Sequence, residues 1–138
     1  MRIRPDIKLD YKDVLLEPKR SEITSRKDID MERDFTFLHS KKQFKGLPIM
    51  ASNMDGVGTF SMAKEMQKYR MITVMRKHYT VDDWENAVGD GLKLKYVSIC
   101  TGTGRIWSEE AQDYSVMKQV LSKFPDINFI TIDVANGY

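Results

Sequence analysis

One cysteine, two histidines and eight glycines in 138 residues exclude several kinds of protein at the outset. A lone Cys100 can neither close an internal disulfide nor assemble a thiolate metal site, which points to a reducing compartment and to no bound metal. No stretch comes near the roughly 20 consecutive apolar residues of a membrane-spanning helix, so no membrane partner is expected. The opening Met1-Arg-Ile-Arg-Pro-Asp-Ile-Lys8 carries charges where a secretory leader needs an apolar segment, and a cytoplasmic location follows as the expectation. A surplus of one charge is missing too. Twenty-two lysines and arginines interleave with 20 aspartates and glutamates, giving a net charge of +2 and no basic face for nucleic acid. The turn Ser52-Asn-Met-Asp-Gly-Val-Gly58 offers only G-x-G where a dinucleotide-binding turn wants G-x-G-x-x-G, and no P-loop occurs.

What the chain does contain is four short apolar runs: Leu47-Pro-Ile-Met-Ala51, Met71-Ile-Thr-Val-Met75, Tyr96-Val-Ser-Ile-Cys100 and Phe129-Ile-Thr-Ile-Asp-Val134. A helix-like segment separates each neighbouring pair, the alternation of a parallel α/β sheet. With 41% hydrophobic and 30% charged residues, the chain has the make-up of one compact globular domain. Residues 1–46 form a charged lead-in with one or two short strands, around Asp13-Val-Leu-Leu-Glu17 and Phe35-Thr-Phe37. The first helix is expected over Thr59–Tyr69, with Met62, Ala63, Met66 and Tyr69 on its buried face. The second starts at the capping box Thr80-Val-Asp-Asp83 and buries Trp84, Ala87 and Val88. The third runs from about Ser108, its cap, to Phe124, turns Val116, Val120 and Leu121 inward, and is stopped by Pro125. Such units fit an open doubly wound sheet or the first half of an eight-stranded barrel, and periodicity does not choose between them.

Both architectures gather ligands at the carboxyl ends of their parallel strands. Those ends carry Ser52, Asn53, Met54 and Asp55 after the first run, then Arg76, Lys77 and His78 after the second. Thr101, Gly102, Thr103 and Gly104 follow the third, and Asp133 and Asn136 close the fourth. Lys77 can serve as a charge partner or, partly desolvated, as a proton donor, with Asp133 as its nearest partner in a barrel arrangement. His78 and Cys100 read as packing residues, since no local base or helix start activates the thiol. The Thr101–Gly104 turn can offer amides and hydroxyls to a phosphate or an amide, or be a tight turn only.

These residues resemble the GMP reductase family, within the larger group that also contains IMP dehydrogenase. Leu9-Asp-Tyr-Lys-Asp-Val-Leu-Leu-Glu-Pro-Lys-Arg-Ser21 is similar to an opening signature common to both enzymes, continued by Ser25-Arg26 and Asp34-Phe-Thr-Phe37. Asn53-Met-Asp55, Val57-Gly-Thr-Phe60, Lys77-His-Tyr79 and Ile132-Asp-Val-Ala-Asn-Gly-Tyr138 resemble the reductase in particular. Only about twenty residues separate the second run from the third, too few for the regulatory CBS pair that IMP dehydrogenases usually insert there.

The resemblance implies a (β/α)8 TIM barrel, of which residues 1–138 are the lead-in and about the first four βα units. It implies NADPH-dependent reductive deamination of GMP to IMP by a cytoplasmic homo-oligomer, a tetramer. Lys77, Thr103 and Asp133 match catalytic positions. Ser25 and Arg26 match a segment reaching the cofactor of a neighbouring subunit, while Lys77, Asp133, Val134 and Ala135 match cofactor contacts. Ser52 and Met54 correspond to nucleotide-side positions. The family's catalytic cysteine sits in a Ser-Val-Cys-Thr loop, which Cys100 does not match, so that loop is expected beyond residue 138 and the chain alone is expected to be inactive. Arg76 stands where a histidine is usual, and Gly56 where a threonine is usual. The alternatives are an IMP dehydrogenase-like oxidoreductase and a non-catalytic half-barrel that binds nucleotide or regulates another chain.

Overall fold

The computed structural model describes residues 5–102 and 112–135. The chain divides into two compact units, Met1–Asp30 and Met31–Tyr138. In the first unit the only regular structure among the described residues is two short 3-10 turns, Tyr11–Asp13 and Arg26–Asp28. Asp10 and Asp13 cap the first turn reciprocally, and the Ser25 hydroxyl accepts the Lys27 N–H to start the second. The alternating stretch at Asp13–Glu17 forms no strand. Every described residue of this unit is exposed, Leu15 and Leu16 each at 98%, so the segment buries nothing that would hold an extended strand in register.

The second unit opens with an antiparallel hairpin of β1 (Arg33–Thr36) and β2 (Gln43–Gly46), registered so that Phe35 faces Phe44. Phe44 sets its ring edge-on to Tyr96 and to Phe129, so the hairpin packs on one residue just before a later strand and on one that begins another. The four apolar runs become β3 (Met50–Ala51), β4 (Ile72–Val74), β5 (Val97–Thr101) and β6 (Phe129–Ile132), all parallel, in the spatial order β3-β4-β5-β6. The first run yields the shortest strand. Pro48 has no N–H for the ladder, and Ile49 N–H turns back to Leu47 O at 2.8 Å before pairing begins.

Among the described residues three α-helices fill the crossovers: α1 (Phe60–Met66), α2 (Val81–Gly89) and α3 (Gln112–Lys123). Sequence neighbours that are also sheet neighbours, joined by right-handed crossovers, put their helices on one face. One cluster accordingly joins Ala63 of α1, Trp84 and Ala87 of α2, and Met117 and Val120 of α3 to Met75, Val97 and Ile99. Val116 and Leu121 pack against its margin, and Val88 is half-buried. Tyr69 is 63% exposed rather than on the buried face. The helix tightens to a 3-10 turn over Gln67–Tyr69, advancing about 120° per residue, and the change of period carries Tyr69 off the apolar stripe. The Ser108 cap lies outside the described residues. Among the described residues no helix is long and apolar enough to cross a membrane.

Candidate active site

The carboxyl ends of all four parallel strands meet at one residue, Asp133. Its backbone N–H extends the ladder onto β5 by donating to Thr101 O at 2.8 Å. From the end of β4, Lys77 Nζ donates to Asp133 O at 3.2 Å and lies 3.6 Å from carboxylate Oδ2. From the loop after β3, Asn53 Nδ2 donates to the same Oδ2 at 2.9 Å and to Cys100 Sγ, on β5, at 3.2 Å. β3 and β6 are the two edges of the sheet. In a flat sheet they would stand about 14 Å apart, three strand spacings. The Asn53 bridge therefore means that the sheet curves and that the loop after β3 runs inward across its carboxyl end.

That loop is seated by a close backbone approach. Val57 and Gly58 N–H both donate to Met54 O, and Gly58 O receives the Arg76 N–H at 2.8 Å. A Cβ on Gly58 would lie 2.6 Å from Val74 O, 2.8 Å from Arg76 N and 2.9 Å from Asn53 Cα. Glycine thus lets the Asn53 loop sit on the end of β4. Gly56, in the same turn, has nothing within 4 Å of a Cβ.

The end of β4 is built with equal economy. His78 takes a left-handed backbone at φ 76°, unusual for a residue other than glycine. The Arg76 guanidinium lies 4.6 Å over the Tyr79 ring and reaches Asp55 O at 3.5 Å, while its Nε is buried with no hydrogen-bond partner among the described residues. Tyr79 in turn packs on Phe60 at 4.1 Å, and Phe60 on Trp84. Thr80 and Asp83 form the capping box that starts α2. The Thr80 backbone N–H, then its hydroxyl, hold the Asp83 carboxyl below its ordinary value, with the positive Arg76 adding to the effect and slight burial opposing it.

Lys77 and Asp133 are therefore together, with the lysine side chain 24% and the aspartate 49% exposed. Val134 is half-buried and Ala135 exposed, directly after them. Ser52 and Met54, both exposed, flank Asn53. Ser25 serves as the cap of its 3-10 turn, and Arg26 is exposed beside it. Thr103 and Asn136 lie outside the described residues. Cys100 is a buried strand residue, 6% exposed, with the Asn53 amide across its sulfur. Asn53 itself is the site residue that spacing failed to single out. A carboxamide after a strand reads as ordinary loop material, and only the approach of β6 gives it a carboxylate to hold. A cavity of about 860 Å³ lies at the opposite, amino ends of the strands, between the hairpin and Phe129.

Residues 8–137 match the IMP dehydrogenase / GMP reductase domain. GMP reductase of Klebsiella pneumoniae subsp. pneumoniae is 47% identical over 142 residues, and those of Shigella boydii serotype 18 and Escherichia coli K12 are 46% identical over 140. Each alignment covers 100% of this chain and 39% of the relative, so the chain spans about two fifths of the length of the curated relatives it matches.

Proposed function

Because the chain belongs to the IMP dehydrogenase / GMP reductase domain family, we propose that it supplies the first four βα units of a (β/α)8 barrel that reductively deaminates GMP to IMP with NADPH. Sequential strand order, helices on one face and a bridge between the two sheet edges support a closing barrel over an open doubly wound sheet. The absence of a G-x-G-x-x-G turn supports the same choice.

The observation that carries the reading is the Lys77–Asp133 pair at the meeting point of four strand ends. Converting GMP to IMP breaks the bond between purine carbon 2 and its exocyclic amine, and ammonia leaves only if a proton reaches that nitrogen. Lys77, held over Asp133 by its carboxylate and its carbonyl, is a positioned donor for that proton, and Asp133 balances the charge. Thr103 completes the catalytic set. NADPH, when bound, supplies the hydride that replaces the amine at carbon 2. The open course of Asp133, Val134 and Ala135 beyond the last ladder bond leaves backbone and side chains for a cofactor to lie along, with Lys77 beside it. Ser52 and Met54 stand on the nucleotide side. Ser25 and Arg26, on a segment whose described residues are all exposed, serve the cofactor of a neighbouring subunit in a cytoplasmic tetramer.

Cys100 is not the nucleophile of this scheme, being buried and covered by Asn53, so residues 1–138 alone are inactive. The test supplies GMP and NADPH to the gene product that carries this chain and follows NADPH absorbance together with IMP. Coupled loss of NADPH and gain of IMP supports the assignment. Oxidation of IMP with NAD, and indifference to GMP, would place the chain with the other enzyme of the family.

A further inference from the structure

We propose that Asn53 is the positioning residue of the Lys77–Asp133 pair, an amide brace between the two edges of the sheet that aims the Asp133 carboxylate. Part of the inference, the effect on turnover, rests on the proposed function. The brace itself does not.

The two ends of the Asn53 carboxamide differ in what they can hold. Ionised Asp133 only accepts hydrogen bonds, so the group 2.9 Å from its Oδ2 must be the nitrogen side of Asn53. An amide nitrogen has two hydrogens. One is committed to Oδ2, and the other points to Cys100 Sγ at 3.2 Å, a weak acceptor that is nonetheless fixed in a buried strand. Asn53 is thus tied to β5 and β6 at once, while Gly58 clamps its loop to β4. The consequence falls on the carboxylate. Oδ2 receives both the Asn53 amide and the Lys77 ammonium, and Oδ1 takes no hydrogen bond among the described residues. A carboxylate bonded at one oxygen by a fixed neutral donor is biased towards one orientation, and here that orientation presents Oδ2 to Lys77 Nζ at 3.6 Å.

Two isosteric ideas separate this role from simple packing. If Asn53 only fills space, Asn53→Asp, nearly identical in shape, is the mildest change and Asn53→Ala the harshest. If its N–H groups hold Asp133, the order inverts, because Asn53→Asp sets a second carboxylate against the first. The first measurement uses the full gene product that carries this chain and needs no activity. The Asn53 side-chain amide signals in nitrogen-15 spectra should exchange with water about tenfold more slowly than those of exposed Asn86, the effect of about one net hydrogen bond. Asp133→Ala should return them towards the Asn86 rate, and Asn53→Ala should speed modification of Cys100 by a thiol reagent about five- to tenfold with the melting transition retained. The second measurement uses the active gene product. Asn53→Ala should lower kcat about tenfold with KM for GMP within about twofold, and Asn53→Asp should lower kcat further. Asn53 amide exchange as fast as that of Asn86, or Asn53→Asp milder than Asn53→Ala, overturns the proposal. Slow exchange in a gene product that ignores GMP leaves the brace standing and removes the proposed reaction instead.

Discussion

Lys77 and Asp133 lie within ion-pair distance and are proposed to act as one group, which their substitutions should show. Lys77→Met and Asp133→Asn are each expected to slow GMP-dependent NADPH oxidation by about 100-fold, the range for loss of a positioned acid. The double variant should lose far less than the product of the two, since residues that work as a unit are not additive. Multiplicative losses would separate them. Cys100→Ser, by contrast, should leave turnover nearly intact, because the thiol is not the proposed nucleophile and serine keeps a small buried acceptor for the Asn53 amide. Their proximity was legible because Lys77 follows one apolar run, Asp133 closes another, and a cation and an acid at nearby strand ends attract. Their neighbours were not. Gly56 and Gly58 look alike in the sequence, yet a Cβ at one meets open space and at the other meets Val74 O and Arg76 N. That difference is made by a strand fourteen and more residues away. Gly58→Ala is expected to cost about 1–3 kcal/mol by forcing the Asn53 loop off β4. Gly56→Thr should change stability by about 0.5 kcal/mol or less, and thermal melts of the two variants measure the contrast.

Helix α2 shows how far local chemistry determines an element. Its start is written in Thr80 and Asp83, and both halves of the capping box form. Thr80→Ala should cost about 1 kcal/mol, read as a shift in denaturant midpoint. The box also carries a pH signature. Asp83 is held below its ordinary carboxyl value of 3.8, so its contribution is fully present above that value and fades as pH falls through the lower folded one. Acid titration of stability should therefore be steeper in the parent than in Asp83→Asn below about pH 4. Other elements depend on more than neighbours in sequence. The short β3 follows from Pro48, a cue present in the sequence, whereas Tyr69 left its expected face because the end of α1 tightened. Strand β2 escaped reading altogether: Gln43-Phe-Lys-Gly46 has one apolar residue, and its pairing with β1 and packing on Tyr96 and Phe129 are made only in the fold.

At the scale of the whole molecule, the four-stranded sheet has two edges among the described residues, and the β6 edge carries exposed apolar side chains. Ile130 pairs with Ile99, which lies in the helix-side core, but Ile130 is 54% and Ile132 58% exposed. Residues 1–138 in isolation are expected to self-associate through these edges. Sizing chromatography should show oligomers that shift to monomer in Ile130→Lys/Ile132→Lys, and a monodisperse parent chain would contradict this. The alternation of strand and helix was readable from periodicity, but strand order was not, because pairing partners leave no mark in a single apolar run. That order, β3-β4-β5-β6, has a consequence for how the chain is made. Each strand pairs with the one synthesised just before it, so every ladder can close as soon as its second strand clears the ribosome. Within this sheet no strand needs a later one to pair with its predecessor, and loop closure stays short at each step. One of the two edges thus advances along the nascent chain with synthesis, at the newest strand, where a chaperone or the next unit arrives first, while the β3 edge stays where it began.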